Sequence, residues 1–143
     1  MPIILTQTDT TVGFLSQDSQ KLSEIKSREE SKQFLKVYSS FREFSLDSNR
    51  VPSSKKKLIR NSKKTTFIVK NRAFRISKTS LNSQILRNYK WQYSTSANES
   101  SKSFSREFCE SKADIIIENS DGLREKTSSS LLKINNLKIR KLR

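Results

Sequence analysis

The sequence has no histidine and a single cysteine, Cys109, among its 143 residues. Without histidine the commonest metal ligand and general base is missing, and one cysteine cannot form an internal disulfide. Zinc sites built from Cys and His, and Ser-His-Asp or Cys-His catalysis, are therefore excluded. We expect neither a catalytic side chain nor a metal held by the protein itself. The chemistry left to this chain is positioning and electrostatics, through Lys, Arg, hydroxyl groups and a bound cation.

Glycine, proline and long apolar runs are also scarce. No apolar run approaches the ~20 residues of a membrane-spanning helix, and the N-terminus lacks the pattern of a signal peptide. We therefore expect a soluble cytoplasmic protein that does not contact membranes. Gly13 is one of only two glycines. Because glycine lets backbone or ligand approach closely, Gly13 is predicted to form a strand-to-helix corner at a pocket wall.

Positive charge is abundant. The chain carries 29 Lys and Arg against 14 Asp and Glu, for a formal charge of +15. Such an excess attracts polyanions. Two interpretations remain open with equal weight: functional RNA binding, and a lysine-rich surface that only interacts with water. The length fits one domain, which we place at residues 1–143.

Hydrophobic patterning predicts an α/β fold in which strands outnumber helices. The predicted strands are 3–6, 33–38, 64–70, 73–77, 91–95, 113–118, 129–134 and 137–142. Helices are predicted after Asp18 or Ser19 and over 80–89 and 103–111. The segment 8–16 is predicted to be a polar turn, and 45–62 a mobile loop. No period of 20 to 50 residues repeats, so a sandwich-like α/β domain is favoured over a solenoid.

Three short polar motifs follow these elements in order. Thr8-Asp9-Thr10 follows the first strand, Lys26-Ser27-Arg28 ends the first helix, and Thr95-Ser96-Ala97-Asn98 ends a later strand. Each has an ordinary alternative. The first resembles an Asx or ST turn, the second is frequent by chance in a basic chain, and the third resembles a helix cap.

Taken together, these motifs resemble the YrdC/YciO family, which includes the threonylcarbamoyl-AMP synthases. The family's Pro-Thr-Asp/Glu-Thr-x-Tyr-Gly-Leu segment corresponds to Gln7-Thr8-Asp9-Thr10-Thr11-Val12-Gly13-Phe14, its Lys-x-Arg to Lys26-Ser27-Arg28, and its Ser-x-Asn to Ser96-Ala97-Asn98. Several family prolines and the tyrosine are replaced, and only Thr66 remains of the Pro-Gly-Pro-x-Thr segment. The chain thus resembles a short and divergent member.

The resemblance implies a single YrdC-like domain, with a twisted mixed sheet, flanking helices and a basic concave cavity. It also implies two groups of ligand residues. The ATP-binding candidates are Lys26, Arg28, Lys32, Asn98 and Arg140, with Arg143 nearly as good a match as Arg140. The threonine-binding candidates are Thr10, Arg75, Ser96 and Ser129. For Arg75 the alternative is one more surface arginine.

The function that the resemblance implies is synthesis of threonylcarbamoyl-AMP from L-threonine, bicarbonate and ATP, with release of pyrophosphate. The protein would be a nucleotidyltransferase that uses Mg²⁺ with ATP and supplies tRNA N6-threonylcarbamoyladenosine modification. Its expected partners are tRNA or double-stranded RNA and other tRNA-modification proteins. The alternative is a non-catalytic module of the same family that binds double-stranded RNA or tRNA.

Overall fold

The computed structural model describes residues 1–27, 33–47, 49–77 and 80–143, with only the backbone of 80–84. Helices and strands alternate along these residues. The helices are α1 (Ser19–Lys26), α2 (Phe41–Leu46), α3 (Lys56–Asn61), α4 (Ser80–Tyr89) and α5 (Arg106–Lys112), with a 3-10 turn at Ser53–Lys55 before α3. The strands are β1 (Ile4–Gln7), β2 (Val12–Ser16), β3 (Leu35–Tyr38), β4 (Thr65–Val69), β5 (Arg72–Ile76), β6 (Trp91–Ser96), β7 (Ile115–Ile117), β8 (Ser130–Ile134) and β9 (Ile139–Lys141).

The nine strands form one sheet in the order β7-β1-β2-β6-β3-β5-β4-β8-β9. Three neighbouring pairs are parallel, β1 with β7, β3 with β5 and β4 with β8, and the other five are antiparallel. The mixed α/β fold expected from the sequence is therefore confirmed, and so are the flanking helices. No helix among the described residues is long and apolar enough to cross a membrane.

Apolar side chains pack on both sides of the sheet. One cluster joins β1 and β2 to α1 and α5 through Leu5, Phe14, Leu22 and Cys109. A second cluster, which includes Phe44 and Ile59, joins the middle of the sheet to α2 and α3. On the other face, Ile4 and Leu15 pack against Ile85 of α4. Burial of the Cys109 side chain raises the pKa of its thiol.

Local signals explain several element boundaries. Asp18 caps α1, because its carboxylate accepts a hydrogen bond from the Lys21 amide at 3.1 Å. Ser27 ends that helix in the left-handed conformation, at φ 49°. Lys70 and Asn71 are also left-handed and join β4 to β5, as in the tight turns that connect antiparallel strands.

Two predicted segments were wrong. Residues 8–16 are not one polar turn: the turn ends by Thr11, and β2 begins at Val12. All five residues of β2 are buried, and a strand buried throughout shows no polar alternation. The predicted loop 45–62 instead contains the end of α2, the 3-10 turn and α3. Ile59 explains α3, because this side chain is fully buried against the second cluster.

Candidate binding cavity

Hydroxyl groups from four parts of the chain line one cavity of about 300 Å³. These parts are the β1–β2 turn, β4, the end of β6 and the segment before β8. The hydroxyl side chains include Thr8, Thr10, Thr66, Ser94, Ser96 and Ser129, and two arginines, Arg75 and Arg143, also line the cavity. The structure thus brings together all four predicted threonine-binding residues, Thr10, Arg75, Ser96 and Ser129.

The β1–β2 turn presents two threonine hydroxyls to the cavity. The Thr8 hydroxyl donates to the Thr11 carbonyl at 2.5 Å and accepts from the Thr10 amide at 3.2 Å. The Thr10 hydroxyl lies 3.3 Å from that of Thr8. The turn is therefore an ST turn, which was one of the ordinary alternatives considered for this motif. The same hydrogen bonds hold both hydroxyls at the cavity wall.

Gly13 stands in β2, directly between Thr6 of β1 and Ser96 of β6. A Cβ atom at this position would lie 3.0 Å from the Thr8 methyl group and 3.0 Å from the Thr95 carbonyl oxygen. Gly13 is thus at a pocket wall as predicted, but within a strand and not at a strand-to-helix corner. Its lack of a side chain lets the β1–β2 turn fold back over β2.

Arg75 lies on β5 and is almost completely buried, at 3% exposure. Its Nε atom is 3.3 Å from Oδ1 of Asp9, which is also buried. Within the part of the chain that the structure describes, neither atom makes a well-aligned hydrogen bond in addition to this ion pair. The pKa of Arg75 is lowered, mainly because the side chain is buried. The Asp9 carboxylate acts against this shift and raises the pKa, whereas the nearby positive charge of Arg143 lowers it further. The surface-arginine alternative for Arg75 is therefore wrong.

Arg143 reaches the cavity from the C-terminal end of the described chain. Its Nε atom donates to the Ser129 carbonyl at 2.9 Å, and its Nη2 atom donates to the Ser129 hydroxyl at 3.3 Å. That hydroxyl also lies 2.7 Å from the hydroxyl of Thr66 on β4. The guanidinium groups of Arg75 and Arg143 both line the cavity, and the Asp9 carboxylate pairs with Arg75. No salt bridge between described residues balances the charge of Arg143, which favours an anionic group in the cavity.

Lys26 and Asn98, two predicted ATP-binding residues, are joined to each other and to Ser96. The buried Lys26 ammonium donates to the Ser96 carbonyl at 3.1 Å, the Asn98 carbonyl at 2.9 Å and the Asn98 side-chain oxygen at 2.8 Å. The Ser96 hydroxyl donates to that same side-chain oxygen at 2.6 Å. The end of α1 is thereby attached to the turn after β6, beside the cavity.

Of the other predicted ATP-binding residues, only Arg140 is described, and it does not lie in this cluster. Arg28 and Lys32 fall outside the described residues. Arg140 is on β9 and lines a different depression, together with Lys133 and Lys138. The sequence left open whether Arg140 or Arg143 is the C-terminal ligand residue, and Arg143 is the one that lines the cavity.

A third depression, of about 370 Å³, lies against β3 and β5. Four of its polar side chains bind one another. Lys36 pairs with Asp47 at 3.0 Å, the Tyr38 hydroxyl donates to Asp47 at 2.6 Å, and Asn49 donates to that hydroxyl at 3.0 Å. Burial raises the pKa of Tyr38, which stays protonated as this network requires. With Lys36, Tyr38, Asp47 and Asn49 already paired, this depression is a weaker candidate site.

Sequence reasoning did not assign Ser94, although a signal was present. Ser94 and Ser96 are two positions apart on β6, so both side chains point to the same face of the sheet.

No group of three or more His, Cys, Asp or Glu side chains that could hold a metal ion occurs in the described part of the chain.

Comparison with solved structures identifies the fold. P. abyssi Sua5 complexed with L-threonine matches with a TM-score of 0.77 and 14% identity, over 99% of this chain and 50% of that one. A double variant of P. abyssi Sua5 matches with 0.80 and 16%, over 99% and 52%. E. coli YciO matches with 0.73 and 16%, over 99% and 82%. No protein-family model matches the sequence, and no curated protein matches it significantly.

The chain therefore has the YrdC-like fold shared by Sua5 and YciO, as the motif resemblance predicted. It spans about half the length of the Sua5 structures that it matches. Identities of 14–16% establish the fold alone, so the activity has to be argued from the cavity.

Proposed function

We propose that this protein binds L-threonine in the cavity and catalyses synthesis of threonylcarbamoyl-AMP for tRNA modification. The observation that carries the proposal is the convergence of Thr10, Arg75, Ser96 and Ser129 on one cavity, although they are up to 119 residues apart in the sequence. Support comes from the fold, which is shared with a Sua5 structure that contains L-threonine. A cavity of about 300 Å³ is also in the range of small-ligand sites.

Charge and hydrogen bonding suggest how threonine is oriented. The guanidinium groups of Arg75 and Arg143 would bind its carboxylate, because planar guanidinium donors match two carboxylate oxygens. The hydroxyls of Thr10, Ser96 and Ser129 can both donate and accept, which suits the ligand hydroxyl and the carbamate. Since Asp9 neutralises only one of the two guanidinium charges, a carboxylate completes the charge balance of the cavity.

ATP would extend from the cavity past the turn that follows β6. Asn98 and Lys26 lie at that exit, and Arg28 and Lys32 are the further predicted phosphate ligands. Bicarbonate would add to the threonine amine to form a carbamate, with loss of water. A carbamate oxygen would then attack the α-phosphorus of ATP, while the bond to the β-phosphate breaks and pyrophosphate leaves. The protein contributes alignment and positive charge to this step.

Mg²⁺ is expected to enter with ATP. The described residues that line the cavity offer hydroxyl oxygens and no carboxylate, so the phosphate oxygens and water would supply most of its ligands. Bound in this way, Mg²⁺ neutralises the charge of the phosphates. The side chains of this protein would orient threonine and keep its carbamate next to the α-phosphate.

The test is detection of threonylcarbamoyl-AMP by mass spectrometry after incubation with L-threonine, bicarbonate, ATP and Mg²⁺. Calorimetric titration of threonine into Arg143→Gln should show a loss of affinity of about tenfold or more, the value of one charged hydrogen bond. Arg140→Gln is the matched control, because Arg140 is near the same terminus but outside the cavity, and its affinity should not change. Equal effects of both substitutions, or no product from folded protein, would refute the proposal.

A second candidate is a non-catalytic RNA-binding module with the same fold. The observation that favours it is the position of Lys26, whose ammonium is held by three oxygens of the chain itself. A protein of this kind would bind RNA and give no product in the mass-spectrometric assay. RNA binding by a folded protein that binds no ATP would support this candidate over the first.

A further inference from the structure

The chain leaves two neighbouring parallel strands towards opposite faces of the sheet. β3 and β5 lie side by side and run parallel. After β3 the chain enters α2, whose Phe44 packs on one face in the second cluster. After β5 it enters α4, whose Ile85 packs on the other face against Ile4 and Leu15. The carboxyl ends of β3 and β5 therefore form a topological switch point, where open α/β sheets have a crevice that binds ligands.

A depression of about 330 Å³ is present at this switch point, and we call it the switch-point crevice. Helices on both faces of the sheet contribute cations to it, because α3 belongs to the second cluster and α4 covers the opposite face. Its lining includes Ser39, Ser40 and Phe41 after β3, Ser77 after β5, Arg60 of α3 and Arg87 of α4. The two arginines thus converge on the ends of the two strands.

The charge of these arginines is not balanced by a carboxylate. None of the described lining residues is acidic, and no salt bridge between described residues involves Arg60 or Arg87. The segment 48–98, which supplies both arginines and Ser77, contains neither Asp nor Glu. Both arginine side chains are exposed, so a ligand can reach them from solvent. The crevice therefore favours an anionic ligand.

An aromatic ring supports one of the two guanidinium groups. The guanidinium carbon of Arg60 lies over the Phe41 ring, 4.5 Å from its centre. A guanidinium group that lies against a ring can still donate hydrogen bonds from its edges, in a planar arrangement that matches two oxygens of a phosphate group. Phe41 thus holds Arg60 in a position suited to bidentate binding.

A buried hydroxyl in the lining has no partner. Ser77 is fully buried, and its Oγ atom makes no hydrogen bond to a described residue. Such groups are rare in folded proteins, because an unsatisfied buried hydroxyl costs stability. An oxygen of an anion in the crevice could accept the proton of this hydroxyl, and the hydroxyls of Ser39 and Ser40 can donate in the same way.

We propose that the switch-point crevice binds the phosphate group of a small molecule, either inorganic phosphate or a phosphomonoester. Two guanidinium groups supply the charge and the bidentate donors, and three serine hydroxyls supply further donors. The volume of about 330 Å³ is in the range of small-ligand sites and leaves room for an organic part beside the phosphate.

The crevice is separate from the other cationic depressions. Leu35 at the start of β3 lines the threonine cavity, whereas Ser39 beyond the end of β3 lines the crevice, and four steps of extended strand span roughly 13 Å. The crevice also shares no described residue with the depression at the β8–β9 hairpin, which we call the hairpin groove. The cations of the hairpin groove include Lys70, Lys133, Lys138 and Arg140. The proposal therefore does not depend on threonylcarbamoyl-AMP synthesis.

The test compares two double variants that remove the same charge. Arg60→Gln with Arg87→Gln alters the crevice, and Arg42→Gln with Lys57→Gln alters exposed cations of α2 and α3 that do not line it. Inorganic phosphate is titrated calorimetrically at constant ionic strength. The crevice variant should bind phosphate about a hundredfold more weakly, because hydrogen bonds from two charged groups are lost, and the control should stay within about twofold. Equal losses in the two variants, or no phosphate binding by the unmodified protein, would overturn the proposal.

Ser77→Ala separates binding from folding. Alanine removes a hydroxyl that has no partner, so the melting temperature without phosphate should stay the same or rise slightly. Phosphate affinity should fall about tenfold, because one hydrogen bond to a charged group is lost. A lower melting temperature with unchanged phosphate affinity would make the hydroxyl purely structural and would contradict the proposal.

Two further ligands identify the source of the phosphate group. If glycerol phosphate binds more tightly than inorganic phosphate, and only when both arginines are present, the crevice takes a phosphorylated small molecule. The reverse order of affinities assigns it to inorganic phosphate. An RNA duplex, followed by fluorescence anisotropy, should bind the two double variants equally. A selective loss of RNA affinity in the crevice variant would mean that the crevice belongs to a polynucleotide surface, and the proposal would fail.

Discussion

The threonine cavity and the hairpin groove both contain cations, but they hold them in opposite ways. In the cavity Arg75 is buried and paired with Asp9, and Arg143 is bonded to Ser129. In the groove Lys133 and Arg140 are exposed, form no salt bridge with a described residue, and lie opposite each other. Cations whose orientation is fixed by protein contacts can fix the geometry of one small ligand. Exposed cations suit a polyanion whose contacts are numerous and exchangeable.

The largest effect is expected from breaking the buried ion pair. Asp9→Asn would leave the Arg75 charge buried without a partner, which lowers the free energy of unfolding by about 3–5 kcal/mol. Urea denaturation measures this loss. Glu99→Gln is the control, since it breaks an exposed pair with Lys102 and should cost about 0–1 kcal/mol. Similar losses in the two variants would mean that the Asp9–Arg75 pair contributes no more than a surface pair.

Lys26→Met should have the next largest effect. This change keeps the length of the side chain but leaves the oxygens of Ser96 and Asn98 without their donor, and we expect a loss of about 2 kcal/mol. Lys70→Met in the hairpin groove is the matched control and should change stability by less than about 0.5 kcal/mol. Thermal unfolding at one pH measures both. An unchanged transition in Lys26→Met would show that the ammonium does not stabilise the turn after β6.

Gly13→Ala tests how closely the β1–β2 turn must approach β2. The added methyl group would meet the Thr8 side chain and the Thr95 carbonyl, and we expect a loss of about 1–2 kcal/mol. Because Thr8 would shift, threonine affinity should fall as well. Gly122→Asn provides the comparison: that position is left-handed, at φ 75°, and has open space around it. Asparagine tolerates this conformation, so stability should change by about 1 kcal/mol at most.

The smallest effect is expected from salt on threonine binding. Threonine is a zwitterion without net charge, and three of its proposed ligands, Thr10, Arg75 and Ser129, are buried, so its affinity should change less than about twofold between 50 and 200 mM KCl. RNA affinity should fall steeply over the same range, because each phosphate contact releases a counterion. Calorimetry and anisotropy in matched buffers give the two slopes. A steep slope for threonine would remove the distinction between the two sites.

Much of the fold could be predicted from local patterns. The β4–β5 hairpin was predicted from β-branched and aromatic residues on both sides of Asn71, and α1 from its Asp18 cap and the spacing of Leu22 and Ile25. The hydrophobic pattern failed to predict β2, because all residues of this strand are buried and polar and apolar residues therefore do not alternate along it. It also failed at α3, where the run Lys55-Lys56-Lys57 obscured a short helix. Ile59 is the residue of α3 that is buried in the core.

The site could be predicted in part. Motif order identified Thr10, Arg75, Ser96 and Ser129, which line one cavity. The pairing of Asp9 with Arg75 could not be predicted, because the two residues are 66 positions apart and only the sheet brings them together. The choice between Arg140 and Arg143 depended on the strand boundary: β9 ends at Lys141, and Arg143 lies beyond it beside Ser129.

The two outermost strands of the sheet also differ in their capacity to associate with other chains. β9 displays Arg140 and Lys141 along its free side, and charged edge strands discourage strand addition by a second molecule. β7 consists of three isoleucines, of which Ile115 and Ile116 are substantially exposed. Self-association through strand pairing should therefore begin at β7, and shortening or charging that strand would be the first step in engineering a less aggregation-prone protein.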